Sequence, residues 1–264
     1  SGILYIKMKK IIFVIALLFT NVFTVQAQDF TFTKAREDYV FTEDNYKKDL
    51  NDFNLKKASY QKNPTLSLKE ELRVSLYKFI GSRNDLIKNY LTMLRMKGLE
   101  VVNAKIDPEV VWYQNRKNSY SENDSLENIL SKSKEEDAHY KTDTLLIIYF
   151  ALSNISLDQV KTIKEEHLKL YKNLKSESEE LVKLGRADAS LFDRWFKDID
   201  QELENISVVE KDTLTQINKI YGSDEYQRNS GYKKAIETLD PAKINLLKLN
   251  GFVKELENVI SSKR

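Results

Sequence analysis

The sequence contains no cysteine and very little glycine or proline. Among its 264 residues there are 7 Gly, 3 Pro and no Cys. Because the tight turns of β-sandwiches and barrels depend on Gly and Pro, this composition excludes an all-β fold. The lack of Cys excludes disulfide scaffolds, zinc ribbons, iron–sulfur clusters and thiol catalysis.

An excess of charge of one sign is also missing. The chain has 42 Lys and Arg against 40 Asp and Glu, and the two signs alternate along most of its length. A surface of this kind produces no long-range attraction for a polyanion, so we predict no nucleic-acid partner.

Hydrophobic residues are present in a proportion that suits a thin helical bundle. They make up 41% of the chain, charged residues 31% and aromatic residues 11%. This is enough to bury a core while leaving a large solvated surface. We therefore predict an all-α protein, an elongated antiparallel bundle of five to seven helices that form coiled-coil-like hairpins.

The first segment has the order of a secretory signal. Met8, Lys9 and Lys10 precede an apolar run that starts at Ile11, and Ala27 is a small residue suited to cleavage. We predict a signal peptide over residues 1–27, with 1–7 as an upstream extension. Its removal takes away three lysines and no acid, leaving 39 basic and 40 acidic side chains. The alternative is an uncleaved anchor, but the apolar run is shorter than the ~20 residues that a span needs.

The first helix, expected from about Lys34 to Tyr60, carries an aromatic residue every seven positions. The members of this aromatic stripe are Phe32, Tyr39, Tyr46, Phe53 and Tyr60. A seven-residue period keeps side chains on one face of a gently supercoiled helix. We interpret the stripe as a structural ridge that packs into neighbouring helices.

A second helix is predicted to pair with the first as an antiparallel hairpin. It is expected to open at a Ser67–Glu70 capping box and to end at Gly98 in a left-handed conformation. Its apolar seam includes Tyr90 and has one polar member, Arg83. If Tyr60 lies opposite Ser67, Arg83 is level with Asp44. A buried guanidinium needs an acid, so we predict an ion pair to Glu43 or Asp44.

Start and stop signals predict the remaining helices. Asp107-Pro108 is expected to start a helix that contains Trp112, and Ser156 is expected to cap another that ends at Gly185. The later signals are a break over 119–124 with a restart near Leu126, a buried helical run over 145–150, a helix with Trp195 that ends at Gly222, and a final helix kinked or restarted at Asp240-Pro241. After the signal, two regions are possible, 28–155 and 156–264.

Groups able to carry catalysis are few. The chain has two histidines, of which His167 lies on an apolar seam, where a core or interface role is expected. Glu136 and His139 have the spacing of two metal ligands on one helix face, but a di-iron bundle needs a second such pair. We interpret residues 135–139 as a solvated face. We predict no catalytic residue, no metal, no cofactor and no enzymatic activity.

The first hairpin resembles a group of uncharacterised exported helical proteins from the candidate phyla radiation, the Patescibacteria. The resemblance covers about residues 35–100. The residues that carry it are Glu37-Asp38-Tyr39-Val40-Phe41, Tyr46-Lys47, Tyr60, Arg83-Asn84-Asp85, Tyr90-Leu91 and Leu94-Arg95. It implies a mostly helical extracytoplasmic protein and assigns no activity.

These features favour a non-enzymatic protein of the cell envelope, in a periplasm-like space or outside the cell, that acts as a structural or protein-interaction module. We expect a protein partner or self-association, and no membrane span after signal cleavage. One alternative is a periplasmic holdase or ligand carrier with a cavity lined by Tyr39, Tyr46, Phe53 and Trp112. A further alternative is an all-α enzyme acting on cell-wall glycan, which requires paired carboxylates in a cleft.

Overall fold

The computed structural model describes the backbone of residues 26–220 and 225–264, and this part of the chain is helical. Its α-helices are α1 Gln26–Lys62, α2 Leu66–Arg95, α3 Glu100–Asn118, α4 Leu126–His139, α5 Leu145–Lys183, α6 Asp193–Lys219 and α7 Glu225–Ser261. A π-helical segment, Tyr140–Thr144, joins α4 to α5, and a short 3₁₀ turn, Ala189–Leu191, precedes α6. No strand occurs in the described residues, which confirms the all-α prediction.

Helices α1 and α2 form the predicted antiparallel hairpin, and its register is close to the expected one. The Tyr39 and Tyr90 rings lie 5.5 Å apart, and Lys56 Nζ lies 2.6 Å from Glu71. If Tyr60 lies opposite Ser67 in an antiparallel hairpin, Tyr39 should lie close to Tyr90 and Lys56 close to Glu71, as both pairs do. Beyond the hairpin, α2 also packs against α3 and α4, so it is the central helix of the N-terminal half.

The predicted ends of α2 are both displaced. The N-cap is Thr65, whose hydroxyl accepts from the amide of Leu68 at 3.3 Å, so the Ser67 capping box is wrong. At the other end the helix stops at Arg95, and Gly98 has no positive φ. Instead, the amides of Met96, Lys97 and Gly98 donate to carbonyls in the last two turns of α2. This turn leads directly into α3.

The predicted helix start at Asp107-Pro108 is also wrong, because α3 begins at Glu100 and Pro108 lies inside it. Pro108 has no N–H to give to the carbonyl of Ala104. Both residues are exposed, so water can take the place of that donor. The helix tolerates the proline on its outer side while Val102, Ile106 and Tyr113 are buried on the other side.

Helix α5 runs without interruption through the predicted cap at Ser156, which is therefore wrong. No Gly or Pro interrupts this stretch, and the buried Leu157 and Val160 continue the helix face that carries the buried Phe150. Burial of one long apolar face outweighs the local capping signal. The proposed boundary between residues 155 and 156 falls inside α5, so both predicted regions share one helix.

The C-terminal half consists of α5, α6 and α7 packed on one another. Gly185 ends the α5 segment as predicted, with φ of 68° and the amide of Arg186 donating to Leu181 at 2.9 Å. This is a Schellman turn, which favours glycine. Pro241 lies within α7, which continues past it. The predicted break over 119–124, the restart at Leu126 and the helical run over 145–150 are confirmed.

Two expectations fall outside the described residues. They are the signal peptide, most of which lies in residues 1–25, and the helix stop at Gly222. None of the described helices combines the length and the hydropathy required to cross a bilayer.

Candidate functional site

Three buried polar residues, Arg83, Asn84 and Glu136, lie where α2, α3 and α4 meet. Glu136 on α4 is only 2% exposed, and its carboxylate contacts Arg83 and accepts from Nδ2 of Asn84 at 3.1 Å. Arg83 also lies 2.7 Å from Asp137. We call Arg83, Asn84, Glu136 and Asp137 the buried ion cluster.

The buried ion cluster corrects two predictions. Arg83 pairs with Glu136 and Asp137 on α4, and the predicted pair with Glu43 or Asp44 on α1 is wrong. The reason is competition: Glu43 is already held by Lys47 at 2.9 Å, whereas buried Glu136 requires a cation. Glu136 is thus part of the interior, and the interpretation of residues 135–139 as a solvated face is wrong there.

The charge of Arg83 is stabilised by its partners. Burial disfavours the guanidinium charge, but the nearby Glu136 and Asp137 outweigh it and raise the pKa of Arg83 above its ordinary value. Arg116 on α3 adds a second cation, with Nε 3.4 Å from Glu136 and Nη2 2.9 Å from the exposed Glu135. The network therefore ties α2, α3 and α4 together through a single carboxylate.

A second polar cluster lies where α3 meets the π-helical segment. Oε1 of Glu109 lies 2.7 Å from Nε2 of His139 and accepts from the hydroxyl of Thr144 at 2.5 Å. Since Thr144 gives its proton to Glu109, the hydroxyl of Tyr113 donates to Thr144 at 2.8 Å. We call Glu109, Tyr113, His139 and Thr144 the π-junction cluster.

Aromatic packing covers the open side of the π-junction cluster. The Trp112 ring stacks on His139 with centroids 3.7 Å apart and an interplanar angle of 14°. Nδ1 of His139 lies 3.3 Å from Asp143, a residue of the π-helical segment. Burial raises the pKa of Tyr113 well above its ordinary value.

The π-helical segment explains why these side chains converge. A π turn inserts an extra residue into the helix and changes which face the following residues occupy. Thr144 is thereby fully buried against Glu109 on α3. The guanidinium of Arg228 on α7 contacts the carbonyl of Thr142, so a cation from the C-terminal half binds this turn.

The chemistry available to the π-junction cluster is limited by access. The Thr144 hydroxyl lies 2.5 Å from the Glu109 carboxylate, yet it is fully buried and already hydrogen-bonded. Within the described residues, no group of three side chains is suited to hold a metal ion. His167, the other histidine, is half-buried and donates from Nδ1 to the carbonyl of Ile163 at 2.8 Å. The cluster thus holds α3 to the α4–α5 junction.

A shallow depression of about 420 Å³ lies where the N-termini of α2 and α4 approach each other. Its acids are Glu70, Asp124 and Glu127. Hydrogen bonds from Arg73, Lys132 and Lys69, respectively, lower the pKa of each carboxyl. All three are therefore ionised, whereas a glycosidase needs one carboxyl with a raised pKa as its acid.

The aromatic residues that the sequence singles out lie in several places. Tyr39, Tyr46 and Tyr90 are buried, whereas Phe32, Phe53 and Tyr60 are partly buried against the core. Most of these rings pack across the α1–α2 interface: Tyr46 and Phe53 both contact Phe79, and Phe32 lies under Lys97. Trp195, on α6, donates to Glu255 on α7 at 3.1 Å.

Sequence reasoning missed Glu109 and Thr144 and misjudged Glu136. Glu109 directly follows the predicted helix start at Asp107-Pro108, and acids are common in the first turn of a helix. A buried acid and an exposed acid look alike in a single sequence. The sequence contains one indication of these clusters, the i, i+3 spacing of Glu136 and His139. This spacing places both side chains near one face of α4 but does not identify their partners.

Comparisons of the chain with protein-family models, with curated proteins and with solved structures find no match. The function is therefore inferred from the residues and their geometry.

Proposed function

We propose that this chain is a non-enzymatic, exported helical-bundle protein that acts as a structural or protein-interaction module at the cell envelope. One observation carries the proposal: the buried charged residues of the N-terminal half, Arg83, Glu109 and Glu136, are engaged in contacts between helices. Glu136 holds Arg83, and Glu109 holds His139 and Thr144. Groups used in this way stabilise the assembly of helices and do not face a substrate cleft.

The holdase or carrier alternative has less support. It requires Tyr39, Tyr46, Phe53 and Trp112 to line one cavity. Tyr39, Tyr46 and Phe53 pack against α2, whereas Trp112 stacks on His139 at the end of α4. The glycan-enzyme alternative lacks a carboxyl suited to act as the acid in the depression beside Glu70 and Asp124.

The envelope location requires export, which the sequence predicts and which can be tested directly. The basic cluster at Lys9, the apolar run and Ala27 form the motivating pattern. The full chain, with a mass of 30.9 kDa, should be expressed in a Gram-negative host, and the soluble periplasmic fraction examined by intact mass. We expect a product that begins at Gln28. Recovery of the uncut chain from the cytoplasm would contradict export.

The non-enzymatic part of the proposal needs a separate measurement. Purified mature protein should be incubated with peptidoglycan, and the soluble fragments analysed by mass spectrometry. We expect no release above that of a buffer control. Release that is lost in the Glu70→Gln or Asp124→Asn variant would instead establish a glycan-cleaving enzyme.

A further inference from the structure

Two oxidisable rings lie side by side in α3, one near the surface and one in the interior. Trp112 is partly buried, whereas Tyr113 is only 1% exposed. Their ring centroids lie 4.8 Å apart in an edge-to-face arrangement. Because the rings are in contact, an electron removed from Trp112 at the surface is readily replaced from Tyr113.

The hydroxyl of Tyr113 has a route along which its proton can leave. Tyr113 donates to Thr144 at 2.8 Å, and Thr144 donates to Glu109 at 2.5 Å. Short hydrogen bonds of this kind transfer a proton between their two ends. Burial raises the pKa of Tyr113 well above its ordinary value, so the phenol keeps its proton at neutral pH until an electron leaves the ring.

This proton relay distinguishes Tyr113 from a buried tyrosine that lacks one. A phenol that has lost an electron is a strong acid, and a positive charge left unpaired in the interior is costly. Tyr90 is also buried, but its hydroxyl has no hydrogen-bond partner in the described structure. At Tyr113 the proton reaches Glu109 and neutralises its carboxylate. Oxidation there removes a buried charge instead of creating one.

We propose that Trp112 and Tyr113 form a redox site that traps organic peroxyl radicals as a buried tyrosyl radical. The peroxyl radical takes one electron from Trp112 and becomes a peroxide anion, which takes a proton from water. Trp112 recovers an electron from Tyr113, while the Tyr113 proton moves to Thr144 and the Thr144 proton moves to Glu109. The products are a hydroperoxide, hydroxide, a neutral tyrosyl radical and protonated Glu109. The reaction is stoichiometric, so it adds a protective activity to the proposed module without catalysis.

The two tryptophans of the chain provide an internal comparison. Trp195 is also partly buried, but it donates to Glu255 and makes no ring contact with a tyrosine of the described residues. The full chain should be exposed to peroxyl radicals from a water-soluble azo initiator, and the oxidation of each tryptophan measured by peptide mass spectrometry. We expect the ratio of Trp112 to Trp195 oxidation to rise in Tyr113→Phe, because Trp112 then has no electron donor beside it.

Glu109→Gln separates proton transfer from packing. The amide oxygen still accepts from Thr144 but does not take up the proton, so this variant should also raise the oxidation of Trp112. Tyr90→Phe is the matched control and should leave the ratio at its wild-type value. Circular dichroism checks that each variant keeps its helix content. An unchanged ratio in Tyr113→Phe or in Glu109→Gln, or an equal rise in Tyr90→Phe, would overturn the proposal.

The wild-type chain gives a measurement that needs no substitution. Flash oxidation by photogenerated tris(bipyridine)ruthenium(III) should produce a persistent tyrosyl signal in the electron paramagnetic resonance spectrum. The signal should appear more slowly after equilibration in deuterium oxide, because two protons move as Tyr113 is oxidised. A chain that gives no persistent tyrosyl signal, or one whose rate of appearance is the same in both solvents, would contradict the relay.

Discussion

At the scale of the residue, Glu136 is the carboxylate on which contacts from α2 and α3 converge. Its carboxylate, 2% exposed, contacts Arg83, Asn84 and Arg116 from two other helices. Removing one member of a buried ion pair leaves the other charge desolvated, which costs far more than the pair itself contributes. Loss of this carboxylate is therefore expected to weaken the packing of α2, α3 and α4.

Glu136→Ala should lower the free energy of unfolding by about 3 kcal/mol, because the buried Arg83 is left beside a cavity with only the exposed Asp137 as its partner. Urea denaturation followed by circular dichroism measures the change. The adjacent Glu135→Ala is the matched control: its side chain is 65% exposed, and its loss should cost less than about 1 kcal/mol. Equal effects at the two positions would mean that the buried ion cluster does not hold the helices together.

At the scale of the element, local signals and tertiary packing compete to set helix boundaries. The α2 start is decided locally, since Thr65 caps the helix. Two other local signals are overridden, at Pro108 in α3 and at Ser156 in α5. In both helices a continuous buried face runs past the signal, and its burial outweighs the contribution of a single cap or the loss of one hydrogen bond.

Thr65 and Ser67 are the two candidate N-caps of α2, and substituting each in turn distinguishes them. Thr65→Ala should lower the free energy of unfolding by about 1 kcal/mol, because the amide of Leu68 loses its acceptor. Ser67→Ala should change it by less than about 0.5 kcal/mol, because Ser67 lies inside the helix. Thermal and urea unfolding of both variants give the comparison. A larger loss at Ser67 would reinstate the predicted capping box.

At the scale of the whole molecule, tyrosine occupies the interior where many proteins place leucine or phenylalanine. Burial raises the pKa of Tyr90 and of Tyr140, and it raises the pKa of Tyr232 to about 12. These residues lie on α2, the π-helical segment and α7, so the interior shared by the two halves of the chain is sensitive to alkaline pH.

We expect the fold to lose stability as the pH rises above 10, the ordinary pKa of tyrosine. The folded-state pKa is raised, so each buried tyrosine contributes stability that is complete below pH 10 and is lost as the pH rises through its folded-state pKa. Phenolate absorbance and circular dichroism should be recorded together during a pH titration. Ionisation of every tyrosine with native helix content would contradict this.

Tyr90→Phe is the matched variant for this titration. The Tyr90 hydroxyl is buried without a hydrogen-bond partner in the described structure, so the substitution removes an ionisable group and no hydrogen bond. Its alkaline unfolding transition should move to higher pH. An unchanged transition would assign the alkaline sensitivity to other groups.

The all-α fold, the first hairpin and its register were determined by the sequence alone. They rest on periodicity and composition, which act over neighbouring turns of one helix and need no knowledge of distant partners. The seven-residue aromatic spacing and the Gly185 stop belong to the same group. Each is a local property of the chain.

Only the tertiary structure decided which acid meets Arg83, which carboxylate accepts from Thr144, and where α3 and α5 begin. Glu136 and Glu43 are alike in sequence, and the difference between them is that one is desolvated by three packed helices while the other is held by a lysine on its own helix. Desolvation depends on the arrangement of elements in space, and a single sequence does not contain that arrangement in any local pattern.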